Sequence, residues 1–335
     1  MFLELIGFFK PSDKFDSFYY KQLSDKQKHV FKAMTAGIKM FTKEIEVPLL
    51  TMDEISMIFN YIMLDNPMFY YVSAFKQITN VNNQKCIIKP VYKYIYFFIM
   101  QKNKTIKGNL QIFNELKCKS ELEKELYVHD YCLDNFKYDN TFSDYSYTVL
   151  GPVLNNTAVC EGIAKFVKLT LDYLGVKNMI VHGKAKNPVN NILELHTWNI
   201  VIINGKKYHL DVTFDMTLKN KINRYDYFNL CDEDIKKDHI IINNLPACLT
   251  AENDYYSLSS SVVNTPGELE VFINKKLIQK IKTFIVKIKN VKDKENIVNR
   301  VISIAQQQYQ NIFNCGVKVE VNYNISQLIF EVSYI

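Results

Sequence analysis

The sequence predicts an α+β protein: a helix bearing a thiol, packed on an antiparallel sheet, with a mostly helical region ahead of it and a small α+β appendage behind. Three observations predict this. Residues 196 to 215, HTWNIVIINGKKYHLDVTFD, are β-branched and aromatic on both sides of Asn204-Gly205, the strongest short-range hairpin signal. From Ala158 the run AVCEGIAKFVKLTLDYLG places Ile163, Phe166, Val167, Thr170/Leu171 and Leu174 at helical spacing. After about residue 250 the pattern changes to short alternating strands and helices. The expected divisions are an accessory region over 1–113, a core over 114–250 and a C-terminal domain over 251–335.

In chain order, Thr51 and Glu54 form a capping box for a helix through Ile55, Ile58, Phe59 and Ile62 that stops before Pro67. Lys85 to Met100 is aromatic and β-branched and reads as a strand pair. Ser120 and Glu123 open a helix holding Leu122, Leu126, His129, Asp130 and Leu133, with His129 and Asp130 in structural roles. The helix after Ala158 takes Asn156 or Thr157 as its cap, and Gly175 fits the left-handed position past its end. Asn187 to Glu194 is a polar loop and a candidate rim of a cleft. Beyond it come the hairpin strands, His196 to Ile203 and Lys206 to Asp215. In the appendage, Thr265, Pro266 and Glu268 start a helix, Thr283 to Lys289 alternates as a strand, Asn296 to Gln308 is helical, and short strands lie around Val317 and Leu328.

A two-residue loop at Asn204-Gly205 sets Ile203 opposite Lys206, Trp198 opposite Asp211 and His196 opposite Thr213. His196 and Asp211 are then diagonal neighbours on one face, about 7 to 8 Å apart at the backbone, a gap that an imidazole and a carboxylate bridge. Asp215 lies diagonal to His196 on the other side and is equally placed by this geometry. A buried hairpin with a merely structural ion pair is the alternative. Cys160 falls in the first helical turn, where N–H groups lack helical partners and the macrodipole favours negative charge, the thiolate included. Gly162, two residues on, lets another backbone or a substrate come close. Cys86, Cys118, Cys132, Cys231, Cys248 and Cys315 lack that context and read as small buried hydrophobes.

These segments, AVCEGIAKFVKLTLDYLGV, VHGKA, HTWNIVIINGKKYHLDVTFD and YDYFNLCDEDIKKDH, preceded by VHDYCLDNFKYD, resemble in order and spacing the transglutaminase-like superfamily of papain-type thiol enzymes, in its bacterial branch, over about residues 120 to 240. The resemblance implies a papain/transglutaminase-like core, with Cys160 as nucleophile, His196 as general base and Asp211 as orienting carboxylate in preference to Asp215. It implies attack on an amide carbonyl of a protein or peptide, through a thioester that water or an amine resolves. Relatives often read Asn-Gly-Lys-Ala-Val-Cys before the thiol; this chain has NNTAVC, and Ile163 stands where a tyrosine is frequent. The Cys160 N–H is the natural oxyanion donor, with Trp198 and Asn155 as further candidates. The rival function is a catalytically silent scaffold that keeps the fold for protein binding.

His182, His196, His209 and Cys160 raise the question of zinc, but neither Cys-x-x-Cys nor His-Glu-x-x-His spacing is present, so neither metal nor cofactor is expected. Glu161 and Glu194 read as solvated charges, or, for Glu161, as a first-turn helix carboxylate. The 335 residues are 48% hydrophobic, enough for genuine cores, and the formal charge of +6 is spread without a basic cluster, which argues against nucleic-acid binding. Seven scattered cysteines fit a reducing, cytoplasmic setting better than a disulfide framework. MFLELIGFFKPSDKF lacks the marks of a secretory leader, and no apolar run reaches membrane-spanning length.

Overall fold

A computed structural model describes residues 17–80, 84–242, 244–291 and 296–335. The segment MFLELIGFFKPSDKF lies outside the described residues. Packing divides the chain into two compact units, Met1–Tyr131 with Asn135–Val181, and Cys132–Asp134 with His182–Ile335. The architecture is α+β with mainly antiparallel sheets; the strands Lys137–Tyr138 and Thr157–Ala158 pair in parallel, as do Val262–Val263 and Thr283–Ile288. Among the described residues no helix is long and apolar enough to cross a membrane.

In the first unit, helix α1 (Asp25–Lys39) and helix α2 (Met52–Asp65) flank strand β1 (Ile45–Pro48). The predicted box closes α2: the Thr51 hydroxyl accepts from Glu54 N at 3.2 Å and the Glu54 carboxylate accepts from Thr51 N at 3.0 Å. Ile55, Ile58 and Ile62 face a core shared with Val30, Phe31, Val47 and Ile88. Strands β2 (Val72–Asn80) and β3 (Lys85–Tyr92) pair with β1 in the order β1-β3-β2. Only half of Lys85 to Met100 is therefore strand, because α3 (Tyr96–Gln111) begins within it. Its buried residues Ile99, Ile106 and Leu110 repeat at seven and four, so core packing overrides the β preference of the aromatic run.

Helix α4 (Glu121–Asn135) starts at the second predicted box, Ser120 with Glu123. Short parallel strands β4 (Lys137–Tyr138) and β5 (Thr157–Ala158) precede α5 (Cys160–Tyr173). All the apolar positions predicted for α5 are buried, and so are Lys165 and Lys168, which makes this an enclosed helix and not an amphipathic surface one. Its lysines reach polar partners at the helix ends: Lys165 donates to Tyr147 O at 3.0 Å and Lys168 to Asp172 at 2.9 Å. Gly175 is left-handed (φ 80°), as predicted, and the Val176 and Gly175 N–H groups reach back to Leu171 O and Asp172 O, which makes a Schellman end.

Strand β6 (Asn178–Lys186) leads into the second unit, whose sheet has the order β10-β6-β7-β8-β9, with β7 (Leu193–Ile203), β8 (Lys206–Leu210), β9 (Phe228–Leu230) and β10 (His239–Ile241). The hairpin register is the predicted one, Ile203 opposite Lys206 through Asn199 opposite Leu210, and Asn204 and Gly205 both take positive φ (50° and 80°). The second strand is shorter than expected: β8 ends at Leu210 and Val212–Leu218 is helix α6. Thr213 and Asp215 therefore lie on a helix and not opposite or beside His196 on a strand.

The C-terminal segment forms its own sheet, order β11-β12-β14-β13, from β11 (Val262–Val263), β12 (Thr283–Ile288), β13 (Val319–Asn324) and β14 (Ile329–Tyr334). Helix α7 (Pro266–Ile278) and helix α8 (Ile297–Phe313) close a core of Ile273, Val286, Val301, Phe330 and Val332. Thr265 caps α7 and Pro266 is its first residue, as predicted.

Candidate functional site

The second unit brings His196 and Asp211 together. His196 Nε2 lies 2.7 Å from Asp211 Oδ2, with the carboxylate fully buried. Asp211 holds this place as the N-cap of α6, its Oδ1 accepting from Phe214 N at 3.2 Å. The register of β7 and β8 sets the distance and the helix start sets the carboxylate plane. Burial alone would raise the Asp211 pKa; the His196 charge and the hydrogen bonds from His196 and His239 outweigh it and hold the carboxyl well below the usual range. The Phe214 ring packs on His196 at 4.4 Å between centroids, and the Trp198 ring lies nearly parallel to the imidazole at 6.1 Å.

Asp215, the rival for the third role, instead accepts from Tyr227 N at 3.1 Å. A residue that sequence reasoning missed takes a place beside Asp211. His239, the first residue of β10, sets its Nε2 3.1 Å from the same Asp211 Oδ2 and its Nδ1 2.6 Å from Asp238. Asp238 accepts in turn from Tyr227 Oη at 2.7 Å and Gln327 Nε2 at 3.2 Å. Asp238-His239 ends the segment YDYFNLCDEDIKKDH, which carries no local sign of this pairing.

Trp198 is spoken for. Its indole N–H donates to His209 Nδ1 at 3.0 Å, so it does not serve as the oxyanion donor entertained above. Because an indole only donates, His209 Nδ1 must carry a lone pair and its Nε2 the proton, which goes to Asp232 at 2.9 Å. Burial pushes the His209 pKa down, more than its bond to Asp232 and the charge there raise it. Among the described residues two groups of three donors come within 4.8 Å, His196-Asp211-His239 and His209-Asp232-Cys248. A cation at the second would need the Nε2 lone pair, and moving the proton to Nδ1 would set it against the Trp198 N–H. At the first, both imidazoles are spent on one carboxylate oxygen. Gly183, in the VHGKA segment, explains itself here: a Cβ would come within 2.5 Å of both the Trp198 ring and Ile240 O.

No protein-family profile matches this chain, and neither does any curated protein. The solved structures that are partly similar include these two. One is described as a TGase, with 16% identity and a TM-score of 0.31, over 54% of this chain and 53% of that one. The other is a candidate cysteine protease from Cytophaga hutchinsonii, with 11% identity and a TM-score of 0.26, over 42% of this chain and 61% of that one. The matched part thus spans about half to three-fifths of either structure's length.

Cys160 belongs to the first unit, where it is the first residue of α5 and partly exposed. The N-cap is Val159, with no side-chain cap bond; Asn156 is instead left-handed (φ 54°) at the end of the preceding turn, and Thr157 lies in β5. The first-turn N–H groups therefore keep their donor capacity for a ligand, Cys160 N–H among them. Gly162 is required by backbone: a Cβ would stand 2.1 Å from Ser146 O, the same carbonyl that accepts from Val159 N at 3.1 Å. That close approach holds the start of α5 against the turn at 143–147, which Asp139 ties together by accepting from Thr141, Ser143 and Ser146. On the far face, Phe166 packs among Phe113, Tyr131 and Phe136. Glu161 pairs with Lys165 at 2.5 Å.

Of the other thiols, Cys86, Cys132 and Cys248 are buried as expected, Cys231 is half-buried, and Cys118 and Cys315 are exposed, contrary to the expectation of a buried role. All seven are free. Burial pushes the Cys248 thiol up to about 12 and raises that of Cys231 as well, so neither suits a nucleophile.

Proposed function

We propose that this chain is a cysteine-dependent amide-bond enzyme, a peptidase or protein-glutamine transamidase, with Cys160 as nucleophile, His196 as general base and Asp211 as the carboxylate that orients it. The observation that carries the reading is the buried His196–Asp211 pair at 2.7 Å, with the acid held ionised. With Nε2–H given to Asp211, the basic nitrogen of His196 is Nδ1. His196 takes the Cys160 proton there, and the thiolate sulfur adds to the carbonyl carbon of a protein or peptide amide. The developing oxyanion is met by the Cys160 N–H at the uncapped start of α5. As the C–N bond breaks, the leaving amine takes the proton from His196 and a thioester remains. Water, or an amine in a transamidase, then gives its proton to His196 and expels the thiolate.

The test is incubation with a peptide library, with and without a primary amine, comparing the wild type with Cys160→Ala. Products that vanish in the variant support the reading, and amine-dependent adducts choose transamidation over hydrolysis. Identical products from both proteins overturn it and leave a binding scaffold.

A further inference from the structure

The acid of the proposed triad is held by more than its base. Asp211 Oδ2 faces two imidazoles, His196 at 2.7 Å and His239 at 3.1 Å, while Oδ1 takes the Phe214 N–H. His239 is itself fixed: its side chain is fully buried and its Nδ1 lies 2.6 Å from Asp238 Oδ1. Asp238 is gripped from two directions. Tyr227 Oη donates to Oδ2 at 2.7 Å, and Gln327 Nε2 reaches the same oxygen at 3.2 Å. Asn324 Nδ2 donates to Tyr227 Oη at 3.0 Å, and burial together with the Asp238 charge keeps that phenol protonated far beyond neutral pH. Asn324 ends β13 and Gln327 lies in the turn before β14, in the segment that sequence patterning gives as a small appendage.

We infer that His239 is a positioning residue for Asp211, locked by Asp238, and that the C-terminal β13–β14 turn completes this lock through Gln327 and Asn324. The inference rests on the triad reading above. A carboxylate with a single buried donor can rotate about its side-chain bonds; with the Phe214 N–H on one oxygen and two imidazoles on the other, it cannot leave His196 without breaking two further hydrogen bonds. The requirement on His239 is for a donor at Nε2, not for an imidazole as such. That separates positioning from packing. Glutamine at 239 supplies an amide N–H at nearly the same reach, whereas phenylalanine fills the same volume and supplies none.

The experiment measures iodoacetamide alkylation of Cys160 at neutral pH, resolved by peptide mass, in the wild type, Asp211→Asn, His239→Gln and His239→Phe, beside the thermal midpoint of each. The expected result is a rate about tenfold lower in His239→Phe, of the size that loss of a hydrogen bond to a charged group produces. His239→Gln should keep most of the wild-type rate although its midpoint falls as far as that of the phenylalanine variant. Equal rates in the two variants, whether both high or both low, overturn the positioning role, since packing alone cannot tell the donor from its absence. Asp211→Asn separates the two levels: a slowed Asp211→Asn with an unaffected His239→Phe sinks only this inference, while an unaffected Asp211→Asn sinks the triad and this inference with it.

Discussion

His196 and His209 sit on the same face of one hairpin, on either side of Trp198, and each faces a carboxylate, yet their surroundings prepare them for opposite tasks. At His209 the Trp198 N–H occupies Nδ1 and Asp232 takes the Nε2 proton, so neither nitrogen has capacity left for a proton or a substrate. At His196 the neighbouring Trp198 and Phe214 present ring faces, and the bond to Asp211 holds the Nε2 proton. The acid differs too. Asp232 is partly exposed and paired with one imidazole, whereas Asp211 is enclosed, caps a helix and serves two. A His–Asp pair is thus common architecture; what makes one a candidate base is the nitrogen left basic after the pair is made.

The largest effect should come from Asp211→Ala, which strands two buried imidazoles and uncaps α6. Urea unfolding should show a loss of about 3–5 kcal/mol, the cost of breaking a buried pair from one side. A loss below about 1 kcal/mol would mean that the cluster relaxes freely. Next in size is Trp198→Phe, which keeps an aromatic side chain, though a smaller one, and removes the donor on His209. We expect a loss of about 1–2 kcal/mol by the same method. Nitrogen-15 spectra of the histidine rings should show His209 protonated at Nε2 and not at Nδ1, with the Nδ1 resonance moving in the variant as its donor is lost; a proton on Nδ1 in the wild type would contradict the tautomer assigned here.

The smallest effect is in pH dependence. His209 has its folded pKa depressed below the ordinary 6.5, so above that pH it is neutral in both states and its contribution is fully present. As pH falls from 6.5 toward the folded value, the unfolded chain binds a proton that the folded one refuses, and stability declines. Because burial is the first cause of the depression, Trp198→Phe should leave that decline in place when urea unfolding is followed across the same pH range. Asp211 and Asp232, both depressed below the ordinary 3.8, give a second decline as pH falls below that value, and this one should survive the substitution too.

Much of this was legible in the chain. Asn204-Gly205 fixed the register, and with it the His196–Asp211 approach, because a two-residue turn leaves no freedom to slip. The Thr51 and Ser120 boxes and the Gly175 end were likewise local signals with local causes. What escaped was set by distant partners. VTFD reads as strand by composition, but Asp211 caps a helix whose Asp215 is needed by the Tyr227 N–H. YFFIM reads as strand, yet the spacing of Ile99 with Ile106 and Leu110 lets a helix bury it. His239 could not be placed because its neighbours depend on β10 pairing with β6, a contact across fifty-odd residues that leaves no mark in either segment. Trp198 fits an oxyanion donor by sequence alone, because nothing local marks His209 as the acceptor of its N–H.

The most direct test of the central claim is the alkylation rate of Cys160 against that of the exposed Cys118 and Cys315 in the same molecule, in the wild type and in His196→Gln. The account predicts that Cys160 reacts at least about tenfold faster than the other two at neutral pH, as an activated thiolate does, and that the advantage disappears in His196→Gln. A Cys160 that reacts no faster than Cys118 and Cys315, or that keeps its lead without the imidazole, would contradict it.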